Sequence, residues 1–219
     1  MNPLDRKLFR DMANIKGQML AIALVIVAGI SVSIIMNGVN DSLALTKDTY
    51  YDRYEFADVF ANLKRAPESV KSRIEDIPGV LKTATRVSYG VTLQMDNMVE
   101  PGSGRVLSIP DNQEPSINKL YLRMGRYPEV GEVDAVLVDE GFFHAHNLSL
   151  GDEVNVIMNG YRRFLKVVGV ALSPEFVYNI APGAMMPDPK RFAVFWMKRK
   201  DLEAAVNMKG AFNDVLIKA

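Results

Sequence analysis

The sequence has no cysteine, one tryptophan and two histidines, and it carries no net charge because 26 Lys and Arg balance 26 Asp and Glu. Without cysteine the chain can form no disulfide, no thiol nucleophile and no cysteine-ligated zinc site. The balanced charge argues against a general nucleic-acid-binding protein, which normally has a basic excess. We therefore expect no nucleic acid among its partners. The lack of thiols also fits an oxidising compartment.

Recognisable catalytic motifs are missing as well. No serine lies in a G-x-S-x-G context, and Gly102-Ser103-Gly104 lacks the following Lys-Ser/Thr of a phosphate-binding loop. His144 and His146 are two residues apart on a predicted helix, so they should point to nearly opposite sides and not share a metal ion. The other candidates form an acidic run in which no pair has a recognisable shared cleft: Glu132, Asp134, Asp139 and Glu140. We predict no catalytic, cofactor-binding or metal-binding residues and no cofactor, and we expect that the chain is not an enzyme.

An uncharged apolar run covers residues 19–39, of which 11 are Leu, Ile or Val. As a helix it would extend about 31 Å, close to the roughly 30 Å of hydrocarbon in a bilayer. The aliphatic residues contribute about −3 to −7 kcal/mol to insertion. We predict a retained transmembrane helix over residues 19–39. A signal peptide cleaved at Ser42-Leu43-Ala44 is the main alternative, although its apolar region would exceed the usual 7–15 or so residues. A buried core helix is a second and weaker alternative.

Flanking charges predict the orientation of this span. Four cations precede it within 15 residues and two follow it within the same distance: Arg6, Lys7, Arg10 and Lys16, then Lys47 and Arg53. The side richer in Lys and Arg normally stays in the cytoplasm. We therefore predict a single-pass protein of the cell inner (plasma) membrane, with a cytoplasmic N-terminus and a periplasmic or extracytoplasmic C-terminal domain.

Residues 1–18 place apolar side chains at helical spacing among the cations, at Leu4, Leu8, Met12 and Ile15. This pattern predicts a short basic helix lying on the cytoplasmic face of the bilayer. A frayed basic tail is the alternative. After the span, Tyr50, Tyr51 and Tyr54 are expected either at the membrane interface or on an outward continuation of the helix.

Residues 40–219 are predicted to form one periplasmic domain of the α+β class, a mixed α/β domain with two lobes. A strand over 56–64, a helix between Pro67 and Pro78-Gly79 and a strand over 81–95 make a strand–helix–strand unit. Asn159-Gly160 lies between two β-rich runs and predicts a type I′ hairpin.

The sequence also predicts two features of the domain surface, a proline-rich loop and a group of basic residues. Residues 173–190 hold four prolines and should form an extended loop, in which Met185 and Met186 are expected to fill a gap in the core. Their alternative role is contact with an apolar partner. Arg162, Arg163 and Lys166 are expected to form a solvated face.

One short sequence recurs. Phe-x-Asp-Val stands at residues 56–59 and again at 212–215, and only the first copy is followed by a helix and a second strand. A strand–helix–strand pair split by an insertion is a known α+β arrangement. We expect from this that the domain is truncated at its C-terminal end.

A family resemblance rests on several ordered motifs. The chain begins with LDRKLFRDMANIKGQMLAIALVIVAGI over residues 4–30, and a second stretch carries Gly125-Arg126, Glu132, Leu148–Asp152 and Val167–Gly169 in order. This pattern resembles FtsX-like (MacB-type) ABC transporter permeases, with their N-terminal transmembrane helix and periplasmic core domain.

The resemblance implies a function and a set of partners. Such permeases pair with a separate cytoplasmic ATPase subunit and dimerise, as a homodimer or with a paired permease. They use ATP hydrolysis to move their periplasmic domain, and a periplasmic adaptor is a further implied partner besides the lipid bilayer. Any ATP hydrolysis would belong to the ATPase subunit. The family also has further transmembrane helices, and the sequence carries no second span and no Walker motif.

Two other functions stay open at this point. One is a single-span, membrane-anchored periplasmic binding or adaptor module without transport activity. The other is a secreted enzyme released by cleavage after Ala44.

Overall fold

The computed structural model describes residues 3, 4, 6, 7, 10, 15–95, 98 and 100–219. The chain divides into two compact units, Met1–Thr49 and Tyr50–Ala219. The basic helix predicted over residues 1–18 lies largely outside the described residues.

Helix α1 covers Lys16–Arg53, and none of its residues is buried. By length and composition it is able to cross a membrane, and it is the only helix of that kind among the described residues. A helix that is apolar all round has to be covered by protein or by lipid. Since no described part of the protein covers α1, the alternative of a core helix is disfavoured.

The helix continues well beyond the predicted span. Residues 40–53 contain neither Pro nor Gly, and at 1.5 Å per residue they extend the helix by about 21 Å. Accordingly the second compact unit begins at Tyr50 and not at the predicted residue 40. Of the two expectations for the tyrosines, the structure selects the outward continuation, because Tyr50 and Tyr51 are helical.

A Schellman motif ends α1. Glu55 has φ +51°, its N–H donates to Asp52 O, and the Phe56 N–H donates to Tyr51 O at 2.9 Å. The Phe56 ring stacks on the Tyr51 ring with 4.4 Å between centroids, which is the apolar contact that accompanies this cap.

Among the described residues after α1, the second unit has ten strands, three short helices and one 3₁₀ turn. Their order is β1 Val59–Pro67, α2 Val70–Glu75, β2 Lys82–Arg86, β3 Ser88–Leu93, β4 Gly102–Ile109, β5 Tyr121–Gly125, β6 Ala135–Asp139, α3 Glu140–Ala145, β7 Glu153–Met158, β8 Tyr161–Leu172, the 3₁₀ turn Pro174–Phe176, β9 Phe192–Lys198, α4 Arg199–Ala205 and β10 Ala211–Lys218. The predicted α+β class is confirmed.

The small sheet has the order β1-β10-β2. Strand β10 is antiparallel to both neighbours, so the predicted strand–helix–strand unit β1–α2–β2 is present and is split by β10. The two Phe-x-Asp-Val copies lead into or lie on paired strands but do not pair with each other, because Val59 of the first copy pairs with Ile217 and Val215 of the second pairs with Ala61. The first strand begins three residues later than predicted, at Val59.

The large sheet has the order β5-β8-β6-β9-β4-β3-β7, and β7 also pairs with β8. This extra pairing closes six strands into a ring and leaves β5 outside it. The closure depends on the predicted hairpin: Met158 pairs with Tyr161, and Asn159 and Gly160 have φ +52° and +79°. Both angles are positive, as a type I′ turn requires.

The central strands of the large sheet, β6 and β9, are buried on both faces. Along β9, Ala193, Phe195 and Met197 belong to the main core inside the ring, whereas Phe192, Val194 and Trp196 belong to a second cluster on the opposite face. This alternation follows the two-residue period of a strand. It explains why all seven residues of β9 are buried.

Two glycines bring β5 and β8 into close contact. Gly125 pairs with Gly169, and a Cβ on Gly169 would lie 2.6 Å from Arg126 O and 2.8 Å from a Leu137 methyl. Because backbone atoms cannot move aside as side chains do, only glycine fits at this position.

We predict that Gly169→Ala lowers the free energy of unfolding by about 1–3 kcal/mol, the usual range for overpacking. Gly90→Ala is the matched control, since a Cβ there would meet nothing within 4 Å. Denaturant unfolding followed by the fluorescence of Trp196 measures both. Equal effects of the two substitutions would show that the close approach at Gly169 is not a constraint.

Candidate functional site

The candidate site is a cluster of buried charges between the two sheets, centred on Arg86 at the end of β2. Its Nε donates to Asp214 Oδ2 at 2.6 Å. Its two Nη atoms donate to the two oxygens of Glu175 at 2.7 and 2.6 Å. Asp214 lies directly beside Arg86 on β10, whereas Glu175 lies in the 3₁₀ turn after β8. The guanidinium therefore joins the small sheet to the large one.

Neighbouring residues hold the Glu175 carboxylate in position. Ser173 Oγ accepts from the Glu175 N–H and so caps the 3₁₀ turn, with Pro174 following it. Asn118 donates from Nδ2 to Glu175 Oε2 at 2.9 Å and accepts from the Ala57 N–H at 2.8 Å. Through Asn118 the cluster also holds the segment that leads into β1.

A second arginine makes a similar connection. Arg199, the first residue of α4, donates from Nη2 to Glu68 Oε2 at 2.6 Å and from Nη1 to Thr85 O at 2.9 Å. Its Nε donates to Glu203 Oε1 at 2.6 Å. Glu68 follows β1 and Thr85 is in β2, so the large sheet is bound to the small one a second time. We call the Arg86 and Arg199 clusters together the seam.

The electrostatics of the seam favour ionised groups. Burial opposes the charge of Arg86, but the hydrogen bonds and charges of Glu175 and Asp214 outweigh it and raise the pKa of Arg86 above its ordinary value. Burial likewise opposes the charge of Arg199, and Glu203 and Glu68 raise its pKa. Bidentate arginine–carboxylate pairs are geometrically specific. The seam thus prescribes one relative position of the two sheets.

The two histidines do not form a site with each other. His144 is exposed, with Nε2 3.7 Å from Glu140 Oε1. His146 is buried against Phe142, with 4.3 Å between ring centroids, and its Nε2 donates to Lys190 O at 2.8 Å. The predicted divergence of the pair is confirmed. Within the described residues no group of three or more His, Asp or Glu is arranged to hold a metal ion.

The four residues of the acidic run each contact a different partner. Glu132 pairs with Arg126, Asp134 with Arg163 and Glu140 with Arg123. Asp139 caps α3 by accepting from the Phe142 N–H. Sequence reasoning missed, however, that Asp139 and Glu140 line one common cleft.

The surface predictions have different outcomes. Arg162 and Lys166 are exposed as expected, whereas Arg163 is partly buried against Asp134. The prediction that Met185 and Met186 fill a core gap is wrong, because they are 96% and 75% exposed. Phe176 and Ala181 pack on the second cluster instead, and the prolines around the methionines keep that stretch extended.

The motifs that carry the family resemblance meet in space. The Arg126 N–H donates to Val168 O and the Gly151 N–H to Val167 O. Arg126 holds Glu132 with two hydrogen bonds of 2.8 and 2.9 Å. A Cβ on Gly125 would lie 3.2 Å from a Leu150 methyl. The shared pattern therefore records a packing arrangement of β5, β8 and the turn before β7.

No protein-family model and no curated protein matches the chain. Among solved structures it is similar to the extracellular domain of the noncanonic ABC-type transporter YknZ from Gram-positive bacteria, with 12% identity and a TM-score of 0.48 over 73% of this chain and 81% of that one. It is also similar to the periplasmic region of MacB from Actinobacillus actinomycetemcomitans, with 16% identity and a TM-score of 0.42 over 72% of this chain and 65% of that one.

These two neighbours belong to the class of protein that the sequence resemblance names.

We predict that Arg86→Met lowers the free energy of unfolding by about 3–5 kcal/mol, because it leaves two carboxylates buried without their cation. Urea unfolding of the full chain measures the change. Arg162→Met removes an exposed arginine and serves as the control, with an expected change within about 0.5 kcal/mol. Adding Glu175→Gln and Asp214→Asn to Arg86→Met should recover part of the loss. If Arg86→Met and Arg162→Met behave alike, the seam does not hold the sheets together.

The Arg126–Glu132 pair generates a pH dependence. The hydrogen bond from Arg126 lowers the pKa of Glu132 below its ordinary 4.5. A lowered pKa in the folded state means that this carboxylate stabilises the fold above pH 4.5 and that the contribution disappears as the pH falls through the folded pKa. We expect Arg126→Gln to raise the pKa of Glu132 in an NMR titration. Arg123→Gln, three residues earlier in β5 and paired with Glu140, should leave it unchanged.

Proposed function

We propose that the chain is the membrane anchor and extracytoplasmic domain of an ABC transporter permease. In this proposal α1 spans the inner membrane once with its N-terminus in the cytoplasm, and the two-sheet domain lies outside the cytoplasm. The proposal rests on the apolar surface of α1, none of which is buried. Exposing apolar side chains to water along about 31 Å of helix is energetically unfavourable, and a bilayer would cover them.

The seam supports the mechanical part of the proposal. A separate cytoplasmic ATPase subunit would hydrolyse ATP and move the permease, and no residue of this chain would take part in the chemistry. The Arg86 and Arg199 clusters join the sheets by short ionic contacts, so the domain would move as one body toward an extracytoplasmic substrate or partner. A second permease chain and a periplasmic adaptor are the further partners we propose.

The predicted topology can be measured with single cysteines, because the natural chain has none. Lys64→Cys lies at an exposed position on β1, and Lys7→Cys lies at an exposed position before α1. A membrane-impermeant maleimide should label Lys64→Cys in cells with an intact inner membrane and should label Lys7→Cys only after the membrane is disrupted. The reverse pattern would contradict the orientation. A soluble product beginning at Leu45 would instead support cleavage of a signal peptide.

Association with an ATPase tests the transport role separately. The full chain, purified from its native membranes in mild detergent, should bring nucleotide-hydrolysing activity with it. A variant in which residues 1–39 are replaced by a cleavable signal peptide should bring none. If the full chain carries no such activity while its topology is as proposed, the single-span binding or adaptor module becomes the better description.

A further inference from the structure

A cleft of about 190 Å³ lies between the 3₁₀ turn and the proline-rich loop that follows it. Three aromatic side chains line it: Phe176, Tyr178 and Trp196. The Phe176 and Trp196 rings meet edge to face, with 6.3 Å between centroids and 70° between planes. Aromatic faces carry partial negative charge and attract cations.

The charged residues that line this cleft are both acidic. They are Asp139 and Glu140, and no Lys or Arg is among the lining residues. Glu140 forms an ion pair with Arg123 at 3.0 Å. The donors to Asp139 are neutral: the N–H groups of Phe142, Val194 and Gly141 and the amide of Asn179. The charge lining the cleft is therefore complementary to a cation.

A hydrogen-bond acceptor also lacks its donor here. Asn179 lines the cleft, and its Oδ1 is buried without a hydrogen-bond partner. Buried polar atoms are rarely left unpaired in folded proteins. Asn179 therefore offers an acceptor that a hydrogen-bond donor bound in the cleft would satisfy.

We propose that this cleft binds a small organic ammonium ion with an aromatic or aliphatic body. An ammonium group has donors and no acceptor, which suits Asn179 Oδ1 and Glu140. Asp139, whose oxygens already accept from protein donors, contributes negative charge, and the body of the ion lies against the aromatic side chains. A cavity of about 150 Å³ accommodates benzene, so an ion of the size of benzylammonium fits. The proposal does not depend on the transport role.

A consequence follows for Asp139. Burial raises its pKa even though the Val194 and Phe142 N–H groups act in the opposite direction. A cation bound beside it stabilises the carboxylate and lowers that pKa. Binding should therefore weaken as the pH falls far enough to protonate Asp139.

The test uses the full chain in lipid nanodiscs, with empty nanodiscs as the blank. Trp196 is the only tryptophan and lines the cleft, so its fluorescence reports occupancy, and isothermal titration calorimetry gives an independent affinity. Benzylammonium should bind saturably at least about tenfold more tightly than benzyl alcohol, and benzoate should not bind. Equal affinity for benzylammonium and benzyl alcohol, or no saturable signal by either method, overturns the proposal.

Two tyrosines provide a matched pair of variants. Tyr178 lines the cleft and is 75% exposed, and Tyr161 on the hairpin is 72% exposed, so neither substitution by alanine should disturb the fold. Tyr178→Ala should weaken benzylammonium binding by about 3- to 30-fold, the range for loss of one cation–π contact, and Tyr161→Ala should not change it. Equal affinities of the two variants would place the ligand elsewhere and would also overturn the proposal.

Discussion

The domain depends on one constraint, which is that the buried guanidinium of Arg86 has to be paired with carboxylates. It must be paired on two sides because a buried charge without partners costs several kcal/mol. Its partners come from different parts of the fold: Asp214 from the strand beside it and Glu175 from the turn after β8. Neither sheet can satisfy it alone. The small sheet and the closed large sheet are consequently held in one relative position, and Arg199 repeats the connection through Glu68 and Thr85.

The large sheet supports this arrangement because its central strands, β6 and β9, are covered on both faces. The ring interior takes one set of alternate side chains, such as Phe195 and Met197. The outer set, including Leu137 and Trp196, is covered by the 3₁₀ turn and the loop after it. That outer layer brings Glu175 to the seam and Phe176 to the cleft from adjacent positions. The same 3₁₀ turn therefore contributes one residue to the seam and the next residue to the cleft.

The motifs behind the family resemblance have a geometric meaning. Gly125 and Gly169 allow two strands to approach, and Arg126 and Glu132 secure the loop that follows. They specify how a chain packs and say nothing of what it binds. This explains why they indicated the fold class without indicating any residue of the cleft, whose aromatic and acidic members belong to segments far apart in sequence.

Local patterns by themselves determined the apolar helix, the turn at Asn159-Gly160 and the strand–helix–strand unit β1–α2–β2, because each depends on residues near one another in the chain. Tertiary structure alone decided that β7 closes on β8, that Arg86 meets Glu175 across 89 positions, and that Met185 and Met186 face outward. The same holds for the cleft shared by Asp139, Asn179 and Trp196. These features depend on which distant segments become neighbours, and a pattern with a period of two to four residues carries no information about that.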